Sequence, residues 1–179
     1  LDLVDADVFV AASAGNTSDS VPDPTGQVNH RGPWVTTVAA STRDGNFPGV
    51  LSATGPGTPP SATQDIAAVK GSDSPPATAL TDHPIRHFAD QDPSEEGCDS
   101  ATPQFPADFF DGAVALIHRG SCSFTEKITN AFDAGADMVV IRNNEAGALQ
   151  MATPGQPAIP AYSIDQTPGI ALNDFVDAN

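Results

Sequence analysis

Apolar residues recur along the chain in short runs, and the best-defined runs lie in its second half. Ala113–His118 and Met138–Arg142 are almost continuously apolar, which is typical of strands that are buried on both faces of a sheet. Between these runs, four apolar residues recur at the spacing of one helical face: Phe124, Ile128, Ala131 and Phe132. This order predicts a strand, a helix and a second strand, joined as a right-handed crossover between parallel strands.

The predicted helix has signals at both of its ends. Ser123 and Glu126 form a Ser-x-x-Glu capping box, in which each side chain accepts a hydrogen bond from an otherwise unpaired backbone amide. Gly135 follows the last apolar residue of the helical face, and glycine readily adopts the left-handed conformation that ends many helices. We therefore expect the helix to begin beside Ser123 and to end before Gly135.

Weaker signals extend this pattern in both directions. Three further runs are predicted to be strands: Phe47–Thr54, Asp65–Val69 and Ala158–Ile164. Thr167 and Pro168 combine an N-cap residue with a proline at the first helical position, which predicts a C-terminal helix through about Asp177. The expected fold class is α+β, mostly β, with one βαβ crossover and flanking helices.

Residues 1–45 differ in character from the rest of the chain. The segment 8–16 is an apolar run that ends in Ala-Gly-Asn, and the segment 28–41 passes through Pro-Trp-Val into a second apolar run. Together these segments resemble the subtilisin-like serine proteases, in which a buried parallel strand ends in Ala-Gly-Asn and a loop leads to Pro-Trp-Val and a second strand. The resemblance implies that residues 1–45 are a piece of a catalytic domain and that residues 46–179 form a separate domain.

The same resemblance implies a catalytic role for Asn16. It would be the oxyanion-hole residue, whose side-chain amide donates to the negative oxygen of the tetrahedral intermediate. The family's catalytic triad runs Asp, His, Ser along the chain, but no histidine precedes Asn16 and no Gly-Thr-Ser segment follows it. We therefore expect these 179 residues not to act as an enzyme alone, and the parent protein to be a subtilisin-like serine endopeptidase.

Residues 46–179 carry a second resemblance, which is clearest over residues 97–179. Several motifs resemble those of the protease-associated (PA) domain in order and spacing: Phe109–Gly112, Arg119–Phe124, Lys127, Ala134–Ala136, Ile141–Asn144 and Ile159–Ala161. The resemblance implies an open barrel or sandwich that binds protein substrates and governs their access to an active site. The alternatives are a structural or oligomerisation insert, or a PA domain from a receptor or another peptidase.

The charge of the chain narrows the range of partners. Seven basic residues against twenty-three acidic ones give a net charge of −16, which repels nucleic-acid phosphates and anionic lipid surfaces. The sequence has no apolar run of about 18 residues, the length that a membrane-spanning helix needs. We expect protein or peptide substrates as partners, no nucleic acid, no membrane, no cofactor, and a secreted location.

Cys98 and Cys122 are the only cysteines, and they flank the predicted strand 113–118. A disulfide between them would contribute about 3 kcal/mol in the chain-entropy model and would agree with an oxidising compartment. The alternative is a pair of unbonded buried thiols. A metal site would need more ligands than these two residues offer.

Arg119 and Lys127 are the candidate binding residues, because both basic side chains lie in the capped turn between strand and helix. They would bind a carboxylate of a substrate or propeptide. Alternatively, they neutralise nearby acidic loops or cap backbone carbonyls.

Two other segments contain residues that can bind metals. His83 and His87 are four residues apart and could share a metal on a helix, but Pro84 and the lack of a third ligand favour structural roles. Residues 90–96 are acidic, yet they lack the spacing and the glycine of a calcium loop. We interpret this segment as a solvated acidic loop, and we expect no metal site.

Overall fold

The computed structural model describes residues 6, 8–14, 32, 34–38, 49–78, 80–87, 96–99, 105–147 and 149–179. The chain divides into two compact units, residues 1–45 and residues 46–179. What the first unit does in a longer protein stays a prediction.

The first unit contains a two-stranded sheet. Its strands are β1 (Ala11–Ser13) and β2 (Thr36–Val38), which pair in parallel with Ala12 opposite Thr37. The parallel pairing agrees with the predicted pair of strands. Their burial does not, because the outer residues of both strands are exposed.

The second unit is built on a six-stranded mixed sheet. The strands are β3 (Gly49–Leu51), β4 (Ile66–Lys70), β5 (Ile85–Arg86), β6 (Val114–His118), β7 (Met138–Arg142) and β8 (Ala161–Ile164). The order across the sheet is β3-β4-β8-β7-β6-β5. The contacts of β4 with β3 and β8 are antiparallel, whereas β5, β6, β7 and β8 run parallel.

Two helices pack on opposite faces of this sheet. Helix α1 (Phe124–Asp133) joins β6 to β7, and helix α2 (Gln166–Asp177) follows β8. Alternate residues of the central strands point to the two faces and form two hydrophobic clusters, with Ala115, Ile117, Val139 and Ile141 on the α1 side and Val114, Leu116, Met138 and Val140 on the α2 side. Because both faces are covered, the strands are apolar at nearly every position.

The ends of α1 follow the predicted signals with one change. Ser123 is the N-cap, and its hydroxyl oxygen accepts a hydrogen bond from the Glu126 amide at 3.1 Å. The Glu126 carboxylate does not complete the capping box, because it accepts from the backbone amide of Asp99 at 2.9 Å. Gly135 has a φ of +93°, and a Cβ there would lie 3.0 Å from the backbone of Asp111, so both conformation and space favour glycine.

Several element boundaries differ from the sequence predictions. Strands β3 and β8 are shorter than predicted, and β5, a two-residue strand, was not predicted. Helix α2 is capped by Asp165, not by Thr167, so the assignment of Thr167 as N-cap is wrong. Pro168 is then the third helical residue, a position whose amide has no partner within the helix in any case.

The second unit is therefore a mixed sheet with two α-helices among the described residues, which is consistent with the α+β prediction. The description as an open barrel stays a prediction. No helix in the described part of the chain has the length and apolar character needed to cross a membrane.

Candidate functional site

The predicted oxyanion donor, Asn16, lies outside the described residues. Strand β1 ends at Ser13, three residues earlier in the sequence. The role of Asn16 therefore stays a prediction that rests on the sequence resemblance.

The structure joins Cys98 and Cys122 in a disulfide, with their Cα atoms 5.8 Å apart. The bond ties the segment 96–99 to the residue just before the N-cap of α1. The two sulfur atoms lie close to the carboxylate of Glu126, but bonded sulfurs offer no thiolate to a metal ion. This grouping is therefore a structural link.

The side chain of Lys127 is completely buried. Its ammonium group donates to the backbone carbonyl of Glu96 at 2.6 Å, and it lies 3.7 Å from the sulfur of Cys98 and 4.0 Å from the Glu96 carboxylate. A group enclosed in this way cannot meet a ligand from solvent, so the interpretation of Lys127 as a binding residue is corrected. It caps a carbonyl and compensates an acidic side chain, as the alternative interpretation proposed.

The carboxylate of Glu96 closes the same cluster. It accepts hydrogen bonds from the Ser121 amide at 2.7 Å and from the Ser121 hydroxyl at 2.6 Å. It also packs against Gly120, where a Cβ would overlap it. The interpretation of Glu96 as part of a solvated acidic loop is therefore wrong. Residues 88–95 lie outside the described residues.

The surroundings of Glu96 lower the pKa of its carboxyl group from the usual value. Burial raises this pKa, but the hydrogen bonds from Ser121 and the charges of Lys127 and His118 outweigh burial, so the pKa is lowered. A lowered pKa stabilises the fold above the unfolded-state value, and this contribution is lost as the pH falls through the folded-state value.

Glu96→Gln is expected to reduce the free energy of unfolding by roughly 1–2 kcal/mol at neutral pH, because it removes charge-assisted hydrogen bonds. The difference from the wild type should shrink as the pH falls below 4.5, the ordinary value for this carboxyl group. Urea denaturation at a series of pH values measures it. The matched control is Glu145→Gln, because Glu145 is 71% exposed and should contribute less than about 0.5 kcal/mol. A wild-type advantage that persists at low pH would contradict the assignment.

Arg119 follows β6 and remains partly exposed. Its guanidinium donates to the side-chain oxygen of Asn143 at 2.9 Å and lies 3.6 Å from the Glu145 carboxylate. This arrangement orients the guanidinium beside the ends of β6 and β7. Its role in binding a carboxylate stays a prediction.

His83 and His87 do not converge on one point. The first lies 3.5 Å from the Asp137 carboxylate, and the second lies 2.8 Å from the Asp177 carboxylate. They flank the strand β5 rather than sharing a helix face. The structure therefore gives each histidine its own acidic partner.

A groove with a volume of about 800 Å³ lies on the α2 side of the sheet. We call it the α2 groove, and the residues that define it are Val50, Leu80, Val114, Met138, Tyr162 and Phe175. Tyr162 is anchored through its hydroxyl, which accepts from the Ala77 amide at 3.1 Å. This groove could not be predicted from the sequence, because its walls come from segments that are far apart in the chain.

Comparison with known families identifies one domain in the chain. Residues 85–172 match the family model described as the PA domain. The match begins at β5 and ends within α2. It includes both cysteines and the crossover formed by β6, α1 and β7. The chain therefore contains a PA domain.

Individual relatives share limited parts of their length with this chain. It is 38% identical over 68 residues to signal peptide peptidase-like 3 of Arabidopsis thaliana, which covers 35% of the chain and 13% of that protein. It is 39% identical over 63 residues to a C5a peptidase of Streptococcus pyogenes, covering 35% of the chain and 5% of that protein. The chain thus spans a small fraction of the length of these relatives.

A solved structure resembles the chain over a longer stretch. It is that of BSAP, a zinc aminopeptidase from Bacillus subtilis, with 32% identity and a TM-score of 0.52. The similarity covers 70% of this chain and 27% of the aminopeptidase chain.

Proposed function

We propose that the chain is a non-catalytic part of a secreted subtilisin-like serine endopeptidase, and that its PA domain binds protein substrates and governs their access to the active site. The observation that carries this proposal is the PA domain match over residues 85–172. Similarity to a C5a peptidase supports a peptidase as the parent protein. The subtilisin-like part of the proposal rests on the resemblance of residues 8–16 and 28–41.

The cluster around the disulfide supports a location outside the reducing cytosol. Cys98 and Cys122 are bonded to each other, and such bonds persist in oxidising compartments. The net charge of −16 agrees with a protein that stays soluble in a saline or extracellular medium. We therefore propose secretion together with the peptidase assignment.

A second candidate is the PA domain of a metallopeptidase. It is favoured by the similarity to the zinc aminopeptidase BSAP over 70% of the chain. This candidate gives no account of the segments 8–16 and 28–41, whereas the subtilisin-like parent accounts for both. A structural or oligomerisation insert is the remaining alternative for residues 46–179.

The gene sequence on both sides of the part that encodes these 179 residues tests the identity of the parent protein. A subtilisin-like parent requires an Asp and a His in triad context upstream and a Gly-Thr-Ser segment downstream. A metallopeptidase parent requires a set of His, Asp or Glu zinc ligands instead. Finding the zinc ligands without the triad would replace the first candidate with the second.

Deletion of residues 46–179 from the parent enzyme is expected to lower cleavage of protein substrates at least about tenfold, while cleavage of short chromogenic peptides changes little. The physical reason is that only extended substrates reach a domain outside the catalytic cleft. The kcat/KM values for a protein and for a short peptide measure this. If their ratio is unchanged while the oligomeric mass shifts, the domain is an oligomerisation insert.

A further inference from the structure

The α2 groove has the size and character of a binding site. Its volume of about 800 Å³ falls within the roughly 300–1,000 Å³ that is usual for ligand sites. Val114, Met138 and Tyr162 form its floor as buried members of the α2-side cluster. Leu80 and Phe175 on its walls are partly exposed. An apolar floor with exposed apolar walls favours side chains of a partner over water.

The groove is bordered by strand β3. Strand β3 is the last strand of the sheet and pairs only with β4 among the described residues. Val50, in the middle of β3, is 69% exposed. Gly49 lies against the floor, and a Cβ there would lie 3.1 Å from the Tyr162 ring. An exposed edge of this kind can accept an additional strand through backbone hydrogen bonds.

The charges around the groove favour a positively charged partner. No lysine or arginine is among the described residues that line it, whereas Asp82 is. Asp174 on α2 is exposed and precedes the wall residues Phe175 and Val176, and Asp177, which follows them, is also exposed although it contacts His87. With a net charge of −16 for the whole chain, the field at the groove attracts cationic segments and repels anionic ones.

We propose that the α2 groove binds an extended basic peptide segment, which pairs with β3 as an additional strand. Alternate side chains of the segment are apolar and fill the groove, because successive residues of a strand point to opposite faces. The intervening or flanking residues are lysine or arginine and face the acidic surroundings. This inference rests on the proposed function, since it names the surface and the class of protein substrate that the PA domain would engage.

The test uses the 179-residue chain and three synthetic peptides of about ten residues. The first alternates lysine with valine, the second alternates glutamate with valine, and the third alternates lysine with serine. Calorimetric titration is expected to give a dissociation constant for the Lys/Val peptide at least about tenfold lower than for the other two. Raising the salt from about 50 mM to about 500 mM should weaken this binding. Equal affinity for the Lys/Val and Glu/Val peptides, or no binding of the Lys/Val peptide, would overturn the proposal.

Two aspartate substitutions locate the site. Leu80→Asp changes a 38% exposed wall residue and is expected to weaken Lys/Val binding at least about tenfold. Ile170→Asp is the matched control, because Ile170 is 45% exposed on α2 but does not line the groove. Equal effects of the two substitutions would place the binding elsewhere.

Pairing with β3 is tested independently of these variants. Only one of the two alternate sets of backbone amides in the Lys/Val peptide can face β3, so two methylated peptides, one for each set, are compared. At least one of them should lose binding, and the unmodified bound peptide should slow hydrogen exchange at the amides of β3. Full affinity of both methylated peptides would exclude strand addition. If the groove binds as described but deletion of residues 46–179 leaves substrate preference unchanged, the site stands and the proposed function fails. If the Lys/Val peptide does not bind but the deletion changes substrate preference, the groove is rejected and the proposed function stands.

Discussion

Replacing Lys127 with methionine is expected to lower the free energy of unfolding by about 3 kcal/mol, a fall of roughly 10 °C in Tm for a domain of this size. The Lys127 side chain is completely buried and its ammonium group donates to the Glu96 carbonyl at 2.6 Å. Methionine keeps most of the apolar stem but removes both this donor and the positive charge beside the Glu96 carboxylate. The remaining partners are then left in a poorly solvated site, which is the costly way to break a buried ionic contact.

The same substitution at Lys70 is the control, because it removes a positive charge from an exposed position. The comparison shows how much of the stability lost at Lys127 is due to burial. Lys70 is exposed, although its ammonium group donates to the carbonyls of Gly71 and Ser74 at 3.1 and 2.6 Å. Lys70→Met should therefore cost less than about 1 kcal/mol. Thermal and urea denaturation followed by circular dichroism measure both variants. Equal losses at the two positions would show that the burial of Lys127 does not determine its contribution.

The parts of the fold that could be predicted are those determined by neighbouring residues. Strand β7 has the predicted bounds, β6 differs by one residue, and α1 lies between Ser123 and Gly135 as expected. Each of these elements has an apolar period or a cap within a few residues. Strand β5 has neither, because its two residues follow Pro84 and are held mainly by pairing with Val114 and Ala115.

The cluster of Glu96, Ser121 and Lys127 was harder to predict from the sequence because its contacts join distant segments. Glu96 meets Ser121 across 25 residues and Lys127 across 31 residues. No local pattern shows that a residue from an acidic segment will compensate a lysine on a helix. The sequence made Lys127 a candidate because it is a basic residue in the capped turn, but its burial depends on the contact of the segment 96–99 with α1. The α2 groove was missed for the same reason.

Replacing both Cys98 and Cys122 with serine is expected to lower the free energy of unfolding by about 3–4 kcal/mol. The disulfide closes a sequence separation of 24 residues, and the chain-entropy model assigns about this value to a loop of that length. The folded structure should change little, because other bonds hold the segment 96–99 on α1. Asn130 donates to the Gly97 carbonyl at 3.0 Å, and the Asp99 amide donates to Glu126 at 2.9 Å.

The expected loss of stability and the expected preservation of the fold can be distinguished by measuring both in the same samples. The double variant should keep the far-ultraviolet circular dichroism of the wild type at low temperature, yet unfold roughly 10 °C lower. A reductant should lower the Tm of the wild type towards that of the variant and leave the variant unchanged. If thiol titration shows complete reduction of the wild type with no change in Tm, the hydrogen bonds of the segment 96–99 alone keep this loop closed. The disulfide would then contribute nothing measurable to the stability of the fold.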